Sequence, residues 1–132
     1  WLRVRESNGK ITFNYKHWLP EGEVIRTYCE ENELTISSAE EMKKILYNLG
    51  FEVFIVVDKL RNSWIYGEYE ISIDTVKELG DYIEIEYKGE DTSDIESIIK
   101  KLNSTLEEIT AKVGDEDHGG YGFKLIKKRL NN

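Results

Sequence analysis

The stretch Tyr82-Ile83-Glu84-Ile85-Glu86-Tyr87 sets a carboxylate on every second residue, with an apolar group between. A period of two fits an extended strand, whose side chains alternate faces, and not a helix. Three more stretches repeat it. Leu2-Arg3-Val4-Arg5 turns two arginines one way, Asp58-Lys59-Leu60-Arg61 does the same with Lys59 and Arg61, and Ile71-Ser72-Ile73-Asp74 ends on a polar-face carboxylate. Strands of this kind build antiparallel sheets with one wet and one dry face. The wet face gathers Arg3, Arg5, Lys16, Lys59 and Arg61 with Glu31, Glu33, Asp74, Glu84 and Glu86. Such a face is by default simply solvated. Yet clustered cations suit a polyphosphate and clustered carboxylates suit a divalent metal. Anion plus metal is the combination that phosphoryl chemistry needs.

Strands are predicted over residues 1–6, 11–17, 23–36, 52–61, 63–74 and 82–88, from their β-branched and aromatic content. Asn8-Gly9 predicts a tight hairpin, Leu19-Pro20-Glu21-Gly22 a second turn, and the Asn62 region a third. A helix is predicted over about 39–49, where Ser38 and Glu41 form a capping box, Met42, Ile45, Leu46 and Leu49 an apolar stripe, and Gly50 the stop. A second is predicted over about 94–108, with Ser93 and Glu96 as the box and Ile95, Ile98, Ile99, Leu102 and Leu106 as the stripe. The helices need the apolar sheet face, which Leu2, Val4, Ile71, Ile73, Ile83 and Ile85 supply. A twisted sheet of six or more strands tends to curl, which would turn the charged face inward.

With no repeats and no linker, the 132 residues read as one α+β domain. A net charge of −8 argues against nucleic acid as a partner. No apolar run approaches membrane-spanning length, and one cysteine, Cys29, fits a reducing, cytoplasmic setting. The chain begins at Trp1 in full strand pattern, and its single methionine is Met42, so an N-terminal piece is expected to be missing.

Taken in order, Leu2-Arg3-Val4-Arg5, Tyr15-Lys16, Glu31 with Glu33, Leu49-Gly50-Phe51, Lys59-Leu60-Arg61, Ile73-Asp74 and Leu79-Gly80-Asp81-Tyr82-Ile83-Glu84-Ile85-Glu86 resemble the CYTH superfamily, the triphosphate tunnel metalloenzymes. The resemblance runs from Leu2 to about Leu106, and the last stretch is its most specific part. It implies an antiparallel β-barrel forming a tunnel, with helices packed on its outside. It implies that Arg3, Arg5, Lys16, Lys59 and Arg61 bind a triphosphate. It implies magnesium or manganese at Glu84 and Glu86, with Asp74 near the metal and Glu31 and Glu33 as further inward acids. The family's N-terminal Glu-x-Glu-x-Lys strand has no match in this chain, which leaves a wall strand missing. An open barrel edge invites pairing, for which a second copy of the chain is one candidate. The branch that the helix after Leu34-Thr35-Ile36 and the Leu-Gly-Asp-Tyr-Ile-Glu-Ile-Glu stretch look most like is the class IV adenylate cyclases, which convert ATP to cyclic AMP and pyrophosphate. The alternatives are a thiamine or inorganic triphosphatase, and a polyphosphate- or nucleotide-binding protein without turnover. An interaction module with a solvated sheet face is a third reading.

Other residues read more plainly. His17 is expected on an exposed loop, His118 in a solvated loop, and Cys29 as a small core or strand residue. Trp18, Trp64 and Tyr66 are expected to pack against helices. Tyr121 to Leu130 is expected to be a short strand or helix, with Tyr121 ordering the tunnel mouth or stapling the C-terminus, and Lys127-Lys128-Arg129 as a solvated tail.

Overall fold

The structure, a computed structural model, describes residues 1–19, 28–90, 93–109, 112–117 and 119–131. It divides into two compact units, Trp1–Phe54 and Ile55–Asn132.

The first unit holds strands β1 (Leu2–Ser7), β2 (Lys10–Leu19) and β3 (Tyr28–Thr35), then helix α1 (Ala39–Asn48). The strands form an antiparallel sheet in the order β1-β2-β3. Asn8 and Gly9 close the first hairpin with φ of 50° and 74°, as the expected Asn-Gly turn requires. The turn expected at Leu19-Pro20-Glu21-Gly22 and the 23–27 part of the third strand lie outside the described residues. The register pairs Arg3 with Asn14, Arg5 with Thr12, and Lys16 with Glu31, so these side chains share one face. Helix α1 starts as predicted, with the Ser38 hydroxyl accepting from the Glu41 amide at 3.2 Å, and it packs against β1. Its stripe is only half used. Met42 and Leu46 are partly buried, while Ile45 and Leu49 are exposed.

The second unit holds β4 (Lys59–Tyr66), β5 (Tyr69–Val76), β6 (Gly80–Tyr87), α2 (Ile95–Glu108) and α3 (Gly120–Leu130). Its antiparallel sheet has the order β4-β5-β6. Here the predicted boundaries move. Residues 51–58 are irregular, because Phe51, Val53, Phe54 and Val56 have no strand to pair with among the described residues and stay exposed. Asn62 is not a turn. It pairs with Ile73 in mid-strand, and the reversal falls at Gly67, whose φ of 59° is the left-handed conformation that a tight hairpin demands. Helix α2 is capped one residue later than expected, by the Asp94 carboxylate on the Ser97 amide at 2.9 Å. A carboxylate gains more than a hydroxyl at the positive end of a helix. The α2 stripe is partly buried, the helix packs along β6, and its Glu108 meets Tyr66 on the apolar face. Residues 120–130 are helical, and α3 stands on the polar face, where Tyr121 reaches Asp74. It is not one of the outside helices that the tunnel reading expects. Lys128 and Arg129 are not a free tail, since they bond the Glu78 carbonyl and carboxylate, the latter at 2.7 Å.

The α+β class and the antiparallel pairing are present, but the six strands form two three-stranded sheets, and the ladders do not show a closed barrel. Most of the deepest sheet positions are polar: Asn14 and Asp74 have no exposed surface, and Ser72 and Thr12 almost none, with Val76 the one apolar residue among them. The apolar face is covered only in part. Val4, Ile71, Ile83 and Ile85 are partly buried, while Leu2 and Ile73 are exposed. Trp18, Trp64 and Tyr66, expected to pack against helices, are exposed as well.

Candidate functional site

The period of two brings the predicted residues together in two clusters, one in each unit. In the second unit the centre is Asp74, directly opposite Arg61 in the ladder. Arg61 grips it with both arms of the guanidinium, Nε to Oδ1 at 2.7 Å and Nη2 to Oδ2 at 2.6 Å. Lys59 Nζ sits 2.6 Å from Oδ2, and the Tyr121 hydroxyl donates to the same oxygen at 2.8 Å. Glu84, across from Ser72 on β6, accepts a second bond from Arg61 and lies 3.8 Å from Lys59. Glu86 pairs with Lys88 at 2.9 Å, and Lys88 also approaches Glu70 at 3.5 Å. Ser63 and Ser72 share a hydrogen bond at 2.8 Å beside this cluster.

The protonation states follow from these contacts. Burial alone would raise the Asp74 carboxyl, but bonds from Arg61, Lys59 and Tyr121 outweigh it and hold the group well below the usual carboxylate range. The bond to Asp74 raises Arg61 further above neutrality. Burial lowers Lys59, against the opposing pull of Asp74 and Glu84. Burial, then the bond to Asp74, keeps the Tyr121 phenol protonated. The Tyr121 ring also lies 4.9 Å under the Lys59 ammonium and 5.0 Å edge-on from Tyr82. Tyr121 is thus part of the site. Its only sequence signal is an aromatic next to glycines 47 residues downstream of Asp74.

In the first unit the centre is Asn14, a residue that charge patterning passes over. Arg3 Nε donates to Asn14 Oδ1 at 3.0 Å, and Asn14 Nδ2 donates to Glu31 and, at 3.2 Å, to Glu33. Lys16 pairs with Glu31 at 2.7 Å, and Arg3 reaches it at 3.3 Å. Burial raises the Glu31 carboxyl, but bonding to Lys16 and the charges of Lys16 and Arg3 leave it lowered. Arg5 forms no side-chain ion pair or hydrogen bond among the described residues.

Among the described residues, no three Asp, Glu, His or Cys side chains gather as a metal-binding group. Glu84 and Glu86 do present hard carboxylate oxygens on one face of β6, which suits magnesium or manganese in donor type. Asp74 is committed to three donors instead. Of the remaining candidates, His17 is a strand residue and not a loop one, 3.5 Å from Glu30, and His118 lies outside the described residues. Burial pushes the Cys29 thiol up, the opposite of what a thiolate nucleophile needs. Among the described residues, no helix is long and apolar enough to cross a membrane.

Similarity to known proteins bears on the same residues. A protein of Methanocaldococcus jannaschii named "Putative adenylate cyclase MJ0240" is 30% identical over 105 residues, which are 80% of this chain and 59% of that one. The chain thus spans 59% of the length of this curated relative. The solved PH1819 protein of Pyrococcus horikoshii superposes with a TM-score of 0.78 at 27% identity, covering 97% of this chain and 72% of that one. The PH1012 protein of the same organism gives 0.80 at 26%, covering 92% and 71%. A Vibrio parahaemolyticus protein, titled "putative adenylate cyclase", shares the fold with a TM-score of 0.73 at 22% identity, covering 99% and 69%. The CYTH domain family matches residues 1–121, which hold both clusters, and the chain belongs to that family.

Proposed function

We propose that this chain acts on a triphosphate-bearing small molecule as a metal-dependent enzyme of the adenylate cyclase kind, converting ATP to cyclic AMP and pyrophosphate. The observation that carries this reading is Lys59 and Arg61 converging on a carboxylate with no exposed surface, on a polar sheet face, in a chain of the CYTH family. The names of the relatives support the choice of branch.

The chain's own residues would divide the work. Lys59 and Arg61 in the second unit would bind phosphate oxygens, as would Arg3, Arg5 and Lys16 in the first, arginine by its two-pronged fork and lysine as a point charge. Asp74 would hold the Arg61 fork in orientation, and Tyr121 would lock Asp74 in turn. Arg61 would exchange its bond to Glu84 for one to an incoming phosphate, leaving the Glu84 oxygens for a cation beside Glu86. Magnesium or manganese held there would offset the charge that develops on the phosphate oxygens. Attack of the ribose 3′-hydroxyl on the α-phosphorus would expel pyrophosphate. Attack of water on the γ-phosphorus would make the same site a triphosphatase.

The test is incubation with ATP, thiamine triphosphate and tripolyphosphate, each with magnesium or manganese, and identification of the products. Cyclic AMP with pyrophosphate is expected from ATP. Orthophosphate release would favour the triphosphatase, binding without turnover would make the site a nucleotide-binding one, and no affinity for any of the three would sink the proposal.

A further inference from the structure

Two neighbouring ladder rows on the polar face of the first sheet differ. One row runs Arg3, Asn14, Glu33, and its cation already has partners within the sheet. The neighbouring row runs Arg5, Thr12, Thr35, and carries hydroxyls where the other carries an amide and a carboxylate. Thr12 is 5% exposed, and its Oγ1 is buried without a hydrogen-bond partner among the described residues. A buried hydroxyl left unpaired is costly and calls for an explanation. Its cross-strand neighbour, with Cβ atoms typically about 4.5–5.5 Å apart in such pairs, is Arg5, whose guanidinium makes no bond or ion pair among the described residues. The nearby Glu33 is engaged by Asn14 at 3.2 Å and by Lys10 at 3.9 Å. A buried donor beside a guanidinium with no partner among the described residues, in a row with no carboxylate of its own, is matched to an oxyanion from outside.

We infer that Thr12 Oγ1 and the Arg5 guanidinium together hold one phosphate oxygen of a phosphate chain. Thr12 is then a substrate-binding residue that charge patterning cannot find, because a hydroxyl leaves no charge signal. The inference rests on the triphosphate reading above and deepens it.

Calorimetric titration with tripolyphosphate, magnesium present, tests it on the wild-type chain and on Thr12→Val, Thr12→Ser, Arg5→Gln and the Thr12→Val/Arg5→Gln double variant. Valine keeps the shape and removes the unpaired hydroxyl, so its melting temperature should equal or exceed that of the wild type. Thr12→Val should weaken tripolyphosphate binding about tenfold to a hundredfold, the loss of one hydrogen bond to a charged acceptor, while Thr12→Ser binds as wild type. The double variant should lose less than the product of the two single losses, as residues sharing one ligand atom do. Inorganic phosphate, the second probe, should bind far more weakly. Wild-type affinity in Thr12→Val, or independent losses in the double variant, would overturn the inference. A lowered melting temperature with equal losses in Thr12→Val and Thr12→Ser would assign Thr12 to the fold and overturn it too. Loss seen with phosphate but not with tripolyphosphate would place an isolated anion there instead of a chain. Arg61→Ala serves as the control. If it alone loses affinity, only this inference fails, whereas a wild-type chain that binds no tripolyphosphate ends both readings.

Discussion

At Asp74 a carboxylate gives up all its solvent contact and stays ionised, because three donors replace the water it loses. Removing one member of such a cluster leaves the others buried and uncompensated, so Asp74→Asn should destabilise the chain by about 2–4 kcal/mol. The same bonds make stability depend on pH. The folded carboxyl gives up its proton more readily than the unfolded one, whose pKa is about 4. Its contribution is therefore complete at neutral pH and is lost as pH falls below about 4 toward the depressed folded value. Thermal melts between neutral and strongly acidic pH should show this fall in the wild type and a flatter profile in Asp74→Asn; parallel profiles would count against an ionised Asp74. Glu86 is the opposite case, an exposed carboxylate with one lysine partner. Glu86→Ala should change stability by less than about 1 kcal/mol. Titration with magnesium or manganese should show a clear loss of affinity, and unchanged affinity would remove Glu86 from the ligand set.

Helix α3 shows what an element adds that single residues do not. Its buried Leu125 anchors it, Tyr121 ties its start to Asp74, and Arg129 with Lys128 ties its end to Glu78. Glu78 has a φ of 72°, a left-handed conformation that side-chain-bearing residues avoid, and both its polar groups are held by α3. Leu125→Ala should cost about 2–4 kcal/mol by opening a cavity under the helix, measured by urea denaturation. Hydrogen exchange should then show α3 amides losing protection before those of β5; simultaneous loss would mean that the helix and sheet open together. The sequence carried the alternation of β1, β4, β5 and β6, the Asn8-Gly9 hairpin and the start of α1, because these are set by residues close in the chain. It did not carry the position of α3, since Tyr121 and Asp74 are 47 residues apart and nothing local links them. The turn at Gly67 was missed for a related reason. Asn62 and Gly67 both tolerate a reversal, and only the pairing of Arg61 with Asp74 and Ser63 with Ser72 selects the second. Asn14 escaped because an uncharged amide at the centre of a charged cluster looks like any strand residue.

Across the whole molecule, among the described strand positions, the polar Thr12, Asn14, Ser72 and Asp74 are enclosed along with Val76, while several apolar positions, such as Leu60, Trp64 and Ile73, are open. Carboxylates in both clusters are held by cations, Glu31 by Lys16 in one and Glu84 by Arg61 in the other, so an anion binding at either cluster would have to compete with that carboxylate. The outer edges of β1 and β4 are unpaired among the described residues, and bare edges favour association. Sedimentation across a concentration series should show reversible self-association, and a strictly monomeric chain would mean that those edges are protected. The central claim is the proposed one, that Arg61 grips a triphosphate in addition to holding Asp74. Calorimetry on wild type, Arg61→Ala and Arg61→Lys with tripolyphosphate, ATP and adenosine tests it most directly. Each charge-assisted bond is worth roughly 1.5–3 kcal/mol, so Arg61→Ala should lose at least that much for tripolyphosphate and ATP, Arg61→Lys should recover only part, and adenosine should be unaffected. Equal losses for adenosine and ATP, or none for tripolyphosphate, would contradict the account.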